Sequence, residues 1–237
     1  MGAVHARFPR TWRQTAIIAP LARGLRLWYR PRVHGLERVP RDQPVVYVGK
    51  HPRSWLYLET ILLGLLSFWD GDRPAFRTLE KRGTSLHRVP GLAWLRRHVG
   101  AIPASETSAV AALRAGESVL VFPGGARELY GAADRIAWTG RRGFARIAAA
   151  AGAPVVPFAI GGADGQHPLR LALGRRGSLW LPPLPLPVAL EYHFGAPLPP
   201  PAPGDAAAIA RLAERAEATT RELLARASAR RRWWRRA

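Results

Sequence analysis

Three short apolar segments, each ending at a glycine, constrain the fold of this chain more than any other feature. They are PVVYVG (44–49), SVLVFPGG (118–125) and APVVPFAIGG (153–162). Their apolar, largely β-branched residues follow one another without polar alternation, which is typical of strands buried on both faces of a sheet. VALEYHFGAPL (188–198) predicts a fourth strand, and AFRTLEK (75–81) is a further candidate.

Helical patterns lie between these strands. They cover residues 54–69, 107–118, 141–151 and 205–228, with a short helix and then a strand or turn in 91–105. This alternation predicts an α/β fold, a single domain with a mostly parallel or mixed central sheet covered by helices. We place that domain at residues 31–228, after an N-terminal amphipathic helical segment (1–30) and before a basic Arg/Trp tail (229–237).

The composition excludes several classes of protein. Because the chain has no cysteine, it has no disulfide framework, no thiolate nucleophile and none of the common cysteine-containing zinc sites. We expect no metal site, because the histidines other than His51 follow no ligand spacing. Those histidines are His5, His34, His87, His98, His167 and His193.

The sequence predicts a cytoplasmic chain without a transmembrane helix. Arginines interrupt the N-terminus too often for a secretory signal. The longest apolar run, 54–69, contains Glu59 and is shorter than the ~20 residues that span a bilayer.

The net charge of +20 comes almost entirely from arginine. Arginine-rich, lysine-poor coding bias accounts for part of it, and the functional explanations are nucleic acid or an anionic membrane surface. Residues 11–29 form an amphipathic pattern interrupted at Pro20, which fits a helix covering the core, a helix at the lipid interface, or both. The tail ARRRWWRRA (229–237) is either a disordered basic segment or a membrane contact.

Polar and glycine residues follow the first two buried strands. Ligands in open α/β sheets bind beyond the carboxyl ends of strands, so we expect these loops to meet. Gly124 and Gly125 allow backbone amides to approach an oxyanion or phosphate, and Arg127 offers a planar set of donors. Glu128 is placed to orient the imidazole of His51 or to accept a hydroxyl proton.

The order of five segments resembles the glycerolipid (lysophospholipid) acyltransferase superfamily, over roughly residues 30–228. VHGLERVPRDQPVVYVGKHPRSWLYLET resembles its first block, HVGAIPAS its second and VFPGGARELYG its third. The third block has the form seen in the monoacylglycerol and diacylglycerol acyltransferase branch, where the phosphate-acceptor branch has F-P-E-G-T-R. RIAWTGRRGFARIAAAAGAPVVPFAIGG and EYHFGAPLPPP resemble the later segments.

The resemblance implies transfer of a fatty acyl group from a thioester to a hydroxyl of a glycerolipid or similar lipid. The thioester, acyl-CoA or acyl-carrier protein, is a co-substrate, and no other cofactor is expected. His51 would be the general base and Glu128 its catalytic partner. The residues expected to bind substrate are Arg53, Phe122, Pro123, Gly124, Gly125 and Arg127. The expected partners are the thioester, the lipid acceptor and an anionic membrane surface, at the inner face of the cell membrane, with no nucleic acid.

The first block departs from the family at one position. Its common form is His-x4-Asp, and Leu56 occupies the aspartate position here. His51-Pro52 agrees with the His-Pro-His-Gly of the acylglycerol branch, but Arg53 and Ser54 do not match its second half.

This departure leaves open which acid, if any, holds the His51 ring. Glu128 is the preferred candidate, since Glu59 lies ~12 Å away along an ideal helix. A catalytically impaired lipid-binding homologue is one alternative, and a basic nucleic-acid-binding protein is another. The acceptor is also open among acylglycerol, lysophospholipid, glycolipid and long-chain alcohol.

Overall fold

A computed structural model describes residues 12–54, 57–69, 76–80, 100–131, 135–172 and 178–232. Its centre is a seven-stranded sheet with the strand order β1-β9-β6-β2-β5-β3-β4, and β7 and β8 form a separate antiparallel pair. The strands are β1 (Arg32–His34), β2 (Val46–Gly49), β3 (Phe76–Glu80), β4 (Ala101–Pro103), β5 (Ser118–Val121), β6 (Val155–Gly161), β7 (Leu169–Ala172), β8 (Ser178–Leu181) and β9 (Glu191–Phe194).

The large sheet is parallel at every pairing except β6–β9. The helices are α1 (Trp12–Tyr29), α2 (Leu58–Trp69), α3 (Glu106–Arg114), α4 (Ala126–Leu129), α5 (Gly143–Ala151) and α6 (Ala206–Arg232), with 3-10 turns at Leu36–Arg38 and Ala163–Gly165. The predicted α/β class, with a mostly parallel mixed sheet flanked by helices, is confirmed.

Local sequence signals set several helix ends. Ser105 caps α3 by accepting a hydrogen bond from the backbone N–H of Ser108, which satisfies one of the free donors of the first turn. A different helix, α5, is terminated on its C-terminal side by Gly152. The φ of Gly152 is 65°, in the left-handed region that glycine adopts without strain.

Side chains of the sheet pack into a core on each face. On β2, Val46 and Val48 join the cluster formed with α3, α5 and α6, whereas Tyr47 joins the cluster formed with α1 and α2. Since all four residues of β2 are buried, the absence of polar alternation in PVVYVG is explained by helices on both sides. This burial fixes the end of β2, from which His51 projects.

The sequence missed some elements and boundaries. The β7–β8 pair and the one-turn helix α4 were not predicted, because neither has a long periodic pattern. Helix α6 continues to Arg232, beyond the predicted end at 228. Of the short helix and the following strand or turn predicted in 91–105, the part at 91–99 lies outside the described residues, as do residues 1–11 and 233–237 of the two terminal segments.

Within the part of the chain that the structure describes, no helix combines the length and apolar character that crossing a bilayer requires.

Candidate active site

The candidate site lies where two neighbouring parallel strands end. β2 and β5 are paired with Val48 opposite Val121, so the segments that follow them leave the sheet at the same edge. His51 follows β2, and the Phe122–Gly125 turn follows β5. The sheet therefore brings together His51 and Glu128, which are 77 residues apart in the sequence.

Glu128 is buried and joins two loops through backbone amides. Its Oε2 accepts a hydrogen bond from the His51 N–H at 2.8 Å, and its Oε1 accepts one from the Ala137 N–H at 2.9 Å. Burial raises the pKa of this carboxyl group, while the two amide donors and the charge of Lys50 act in the opposite direction. The side chain thus fixes the backbone at His51 to the loop that precedes α5.

The glycine turn makes room for this glutamate. A Cβ atom at Gly124 would collide with the carboxyl group of Glu128. Gly125 has a φ of 51° and directly precedes α4, and its N–H donates to the Phe122 carbonyl at 3.1 Å. The residues of the P-G-G-x-x-E motif therefore pack together. Its first glycine is required because a side chain there would collide with Glu128, and its second because of its positive φ.

The ring of His51 is held by a main-chain carbonyl. Nδ1 lies 2.7 Å from the Pro52 oxygen. Since a carbonyl can only accept, Nδ1 carries the proton in the neutral ring and Nε2 keeps its lone pair. The ring packs against Phe122, with centroids 4.9 Å apart, and against the edge of Tyr57 at 5.3 Å.

The environment keeps His51 neutral. Its side chain is buried, and that burial lowers the pKa to about 4, with the positive charge of Lys50 acting in the same direction. The hydrogen bond to Pro52 opposes the shift only in part. At neutral pH the site therefore presents an unprotonated imidazole of defined tautomer, the form that a general base requires.

The prediction that Glu128 orients the ring by direct contact does not match the hydrogen bonds. Both Glu128 oxygens are engaged by backbone amides, so this residue positions His51 through its main chain. The ring is oriented by the Pro52 carbonyl, which sequence reasoning could not single out because every residue has a carbonyl. Position 56, where the family has aspartate, lies outside the described residues.

Glu59, the other candidate acid, belongs to a different buried network. Its Oε2 accepts from the Gln166 side chain at 3.2 Å, and Gln166 accepts from the Tyr29 hydroxyl at 2.7 Å. The Tyr192 hydroxyl donates to the Glu59 carbonyl at 2.7 Å. Glu59 therefore links α2 to α1 and β9.

The two predicted arginines differ in exposure. Arg53 is half-buried, and its Nε is buried with no hydrogen-bond partner among the described residues. Arg127 is exposed on α4. A buried donor two residues after the candidate base is available to an anionic or carbonyl oxygen of a ligand.

Two features of the site were not predicted. Lys50 is 5% exposed, and its Nζ donates to the His51 carbonyl at 3.3 Å. Arg170 of β7 donates to the Tyr130 carbonyl at 2.6 Å and lies over the Tyr130 ring, 5.2 Å from its centroid. The β7–β8 pair therefore contacts the residue that follows α4. The sequence could have suggested Lys50 as a site residue, because it directly precedes His51. It gave no indication of the contact between Arg170 and Tyr130, which are 40 residues apart.

The model of the Acyltransferase family matches residues 30–161. An uncharacterised protein of Mycobacterium tuberculosis is 30% identical over 160 residues, which are 65% of this chain and 44% of that protein. The human "DGAT1/2-independent enzyme synthesizing storage lipids" is 28% identical over 188 residues, 73% of this chain and 55% of that enzyme. "Phytyl ester synthase 1, chloroplastic" of Arabidopsis thaliana is 33% identical over 142 residues, 56% of this chain and 19% of that enzyme.

The fold is similar to that of a solved structure, the 1-acyl-sn-glycerophosphate (LPA) acyltransferase PlsC from Thermotoga maritima. The TM-score is 0.64 at 19% sequence identity, covering 94% of this chain and 85% of that one. At this identity the likeness shows a shared fold. The stretches aligned with the curated relatives make up well under two thirds of those proteins' own lengths.

Proposed function

Because this chain belongs to the Acyltransferase family, we propose that it transfers a fatty acyl group from an acyl thioester to a hydroxyl of a glycerolipid or similar lipid, with His51 as general base. The observation that carries this proposal is the neutral, Nδ1-protonated imidazole at the carboxyl end of β2, set by burial and by the Pro52 carbonyl. A ring in that state is poised to accept a proton at Nε2.

The proposed reaction needs no covalent intermediate on the protein. Nε2 of His51 takes the acceptor's hydroxyl proton as the hydroxyl oxygen attacks the thioester carbonyl carbon, at a hydrogen-bond distance of ~2.6–3.2 Å. The tetrahedral intermediate then collapses, the carbon–sulfur bond breaks and the departing thiolate takes the proton from the imidazolium. The products are an ester and a free thiol, of CoA or of acyl-carrier protein.

Donors near His51 would stabilise the charge that develops. The Nε of Arg53 is a buried donor with no partner among the described residues, and the backbone of the Gly124–Gly125 turn lies on the neighbouring loop. We assign to these groups, with Phe122, Pro123 and the exposed Arg127, the binding of the thioester oxyanion and the anionic parts of the substrates.

The preferred acceptor is the hydroxyl group of an uncharged lipid. The third block reads FPGGARE, the form of the acylglycerol-acyltransferase branch that the sequence resembles. In the same direction, the human relative is named for storage-lipid synthesis and the plant relative for phytyl esters. Acylglycerols and long-chain alcohols are therefore the primary candidates, and a lysophospholipid is the comparison.

We further propose that the enzyme works at an anionic membrane surface on the cytoplasmic side. Leu27 of α1 is 80% exposed, and Leu184 of the loop between β8 and β9 is 74% exposed. Trp28 joins these two segments by donating from Nε1 to the Pro185 carbonyl at 3.1 Å. α1 also presents exposed arginines, including Arg26, so apolar and basic side chains occur together as an interfacial helix requires.

The test is release of free thiol from acyl-CoA and from acyl-carrier protein thioester, with a panel of acylglycerol, alcohol and lysophospholipid acceptors in vesicles. We expect acceptor-dependent turnover, and a loss of roughly 10²–10⁴-fold in His51→Ala. His167→Asn is the matched control, because His167 is also buried with Nδ1 on a proline carbonyl, that of Pro182 at 2.9 Å. Equal thiol release by wild type and His51→Ala with every acceptor would overturn the proposal.

A further inference from the structure

Three potential metal ligands meet at the edge of the sheet that begins with β1. In the parallel β1–β9 pairing, His34 lies opposite His193 and Arg32 lies opposite Glu191. Side chains alternate along a strand, so His193 and Glu191 share one face, while Tyr192 and Phe194 enter the core of the other face. Neighbouring strands thus place two imidazoles and one carboxylate side by side.

The ligand atoms of these residues are close together. His193 Nε2 and Glu191 Oε2 are 3.1 Å apart. The His34 and His193 rings are stacked with centroids 4.5 Å apart. One ligand atom from each of the three residues lies within 4.8 Å of the others. In a tetrahedral zinc site such atoms are roughly 3.3 Å apart, given bonds of about 2.0–2.1 Å, so modest side-chain rotation brings the set to bonding distance.

We propose that His34, Glu191 and His193 bind a divalent transition metal ion, with Zn²⁺ as the best match. Two imidazole nitrogens and one carboxylate oxygen suit zinc, whereas Mg²⁺ and Ca²⁺ prefer sites made of oxygen alone. Three protein ligands leave the fourth tetrahedral position for water.

The surroundings of the three residues favour a bound cation. Glu191 and His193 are each 8% exposed, and Ala159, which is paired with His193, packs with Leu223 and Leu224 of α6. Such a low-dielectric setting strengthens the attraction between a carboxylate and a cation. His34 is only half-buried and lies on the edge strand, which provides an entry path from solvent.

One cation already lies near the cluster. The Arg32 guanidinium is 3.9 Å from the Glu191 carboxylate, and its side chain is 60% exposed. A bound metal ion repels this group, which is free to turn towards solvent. Arg32 therefore lowers the affinity of the site without blocking it.

The proposed site is separate from the candidate active site. β9 is two strands from β2 in the sheet, and the Phe122 ring that packs on His51 joins the core of the opposite face. A metal here would hold the short edge strand β1 against β9. Because β1 begins three residues after α1 ends at Tyr29, the metal would also help to hold the C-terminal end of α1 against the sheet.

The sequence predicted no metal site, since none of these histidines follows a ligand spacing. The register of β1 with β9 changes that expectation, because it joins residues from opposite ends of the chain. This inference does not depend on the acyl-transfer proposal, and either can fail alone.

The test is calorimetric titration of the EDTA-treated, tag-free full chain with Zn²⁺, with Mg²⁺ as the comparison ion. We expect one Zn²⁺ per chain and no Mg²⁺ binding. His34→Gln and Glu191→Gln should each lose at least about a hundredfold in affinity, because loss of a direct ligand exceeds the 10–100-fold cost of losing an outer partner. His167→Asn, which removes a buried histidine elsewhere, should bind like wild type.

Two further measurements keep the test independent of folding defects. Circular dichroism of the metal-free variants establishes that they are folded, which we expect for His34→Gln because His34 is only half-buried. Zn²⁺ should raise the melting temperature of wild type but not of His34→Gln. Absence of Zn²⁺ binding by wild type, or equal affinity in wild type and both ligand variants, would overturn the proposal.

Discussion

Glu59 of the first block and Glu128 of the third block are both buried acids, but they have different partners. Glu128 accepts one backbone amide at each carboxylate oxygen, from His51 and Ala137. Glu59 accepts from the side chain of Gln166 at Oε2, and its Oε1 has no hydrogen-bond partner among the described residues. Burial raises the pKa of both carboxyl groups, but at Glu128 two backbone amide donors and the charge of Lys50 act against that shift.

This difference shows how a buried acid can position the candidate base, His51, without touching its ring. The Glu128 carboxylate fixes the position of the His51 backbone, and the Pro52 carbonyl then fixes the ring. Glu59 instead ties α2 to Tyr29 of α1 through Gln166. The first acid supports the candidate reaction and the second supports the packing of the N-terminal helix.

The largest effect on stability is expected from Glu128→Ala. The change leaves the amides of His51 and Ala137 buried without acceptors, and each such donor costs about 1–3 kcal/mol. We expect a fall of about 2–6 kcal/mol in the free energy of unfolding, measured by urea denaturation at pH 7. We also expect at least a tenfold loss of thiol release by the fraction that remains folded. Wild-type stability would show that the two amides find other partners.

The pH dependence of stability should be the next largest effect, and it tests the state of the His51 ring. The folded pKa of about 4 lies below the ordinary value of 6.5, so the unfolded chain binds more protons between these values. The stabilisation is complete above pH 6.5 and is lost as pH falls to 4, by about 3 kcal/mol at 1.36 kcal/mol per pH unit.

Wild type and His51→Gln should be compared by urea denaturation across this range. Because glutamine does not titrate, wild type should lose stability relative to the variant as the solution is acidified. A stability difference that stays constant from pH 7 to 4 would mean that the His51 pKa is not lowered. Activity should correspondingly stay level down to about pH 5.

The smallest effect on stability and activity is expected from Glu59→Gln. Burial raises the pKa of the Glu59 carboxyl group, and glutamine replaces it with an uncharged side chain of the same shape. At a pH low enough to protonate the carboxyl group, the substitution should change the free energy of unfolding by less than about 1 kcal/mol. A raised pKa destabilises wild type as pH rises through it, so the stability of the variant relative to wild type should increase with pH.

Thiol release by Glu59→Gln should stay within about twofold of wild type, since the described hydrogen bonds of Glu59 go to Gln166 and Tyr192. A loss of activity as large as that of Glu128→Ala would contradict the division of roles between the two acids.

The sequence by itself determined the α/β class and the places where the candidate site residues leave the sheet. Apolar runs such as PVVYVG and SVLVFPGG specify buried strands through local periodicity, and parallel strands direct the residues that follow them to one edge. Gly124 and Glu128 were also within reach of the sequence, because their spacing reproduces a family block.

Only the tertiary structure decided which atoms meet. The choice between the ring and the amide of His51 as the partner of Glu128 depends on positions of about an ångström, and the carbonyl of Pro52 looks like any other in a sequence. The meeting of His34 with Glu191 and His193 likewise depends on the pairing of the first strand with the last. A local pattern shows which face of a strand is buried, but the pairing of strands far apart in the chain depends on tertiary packing.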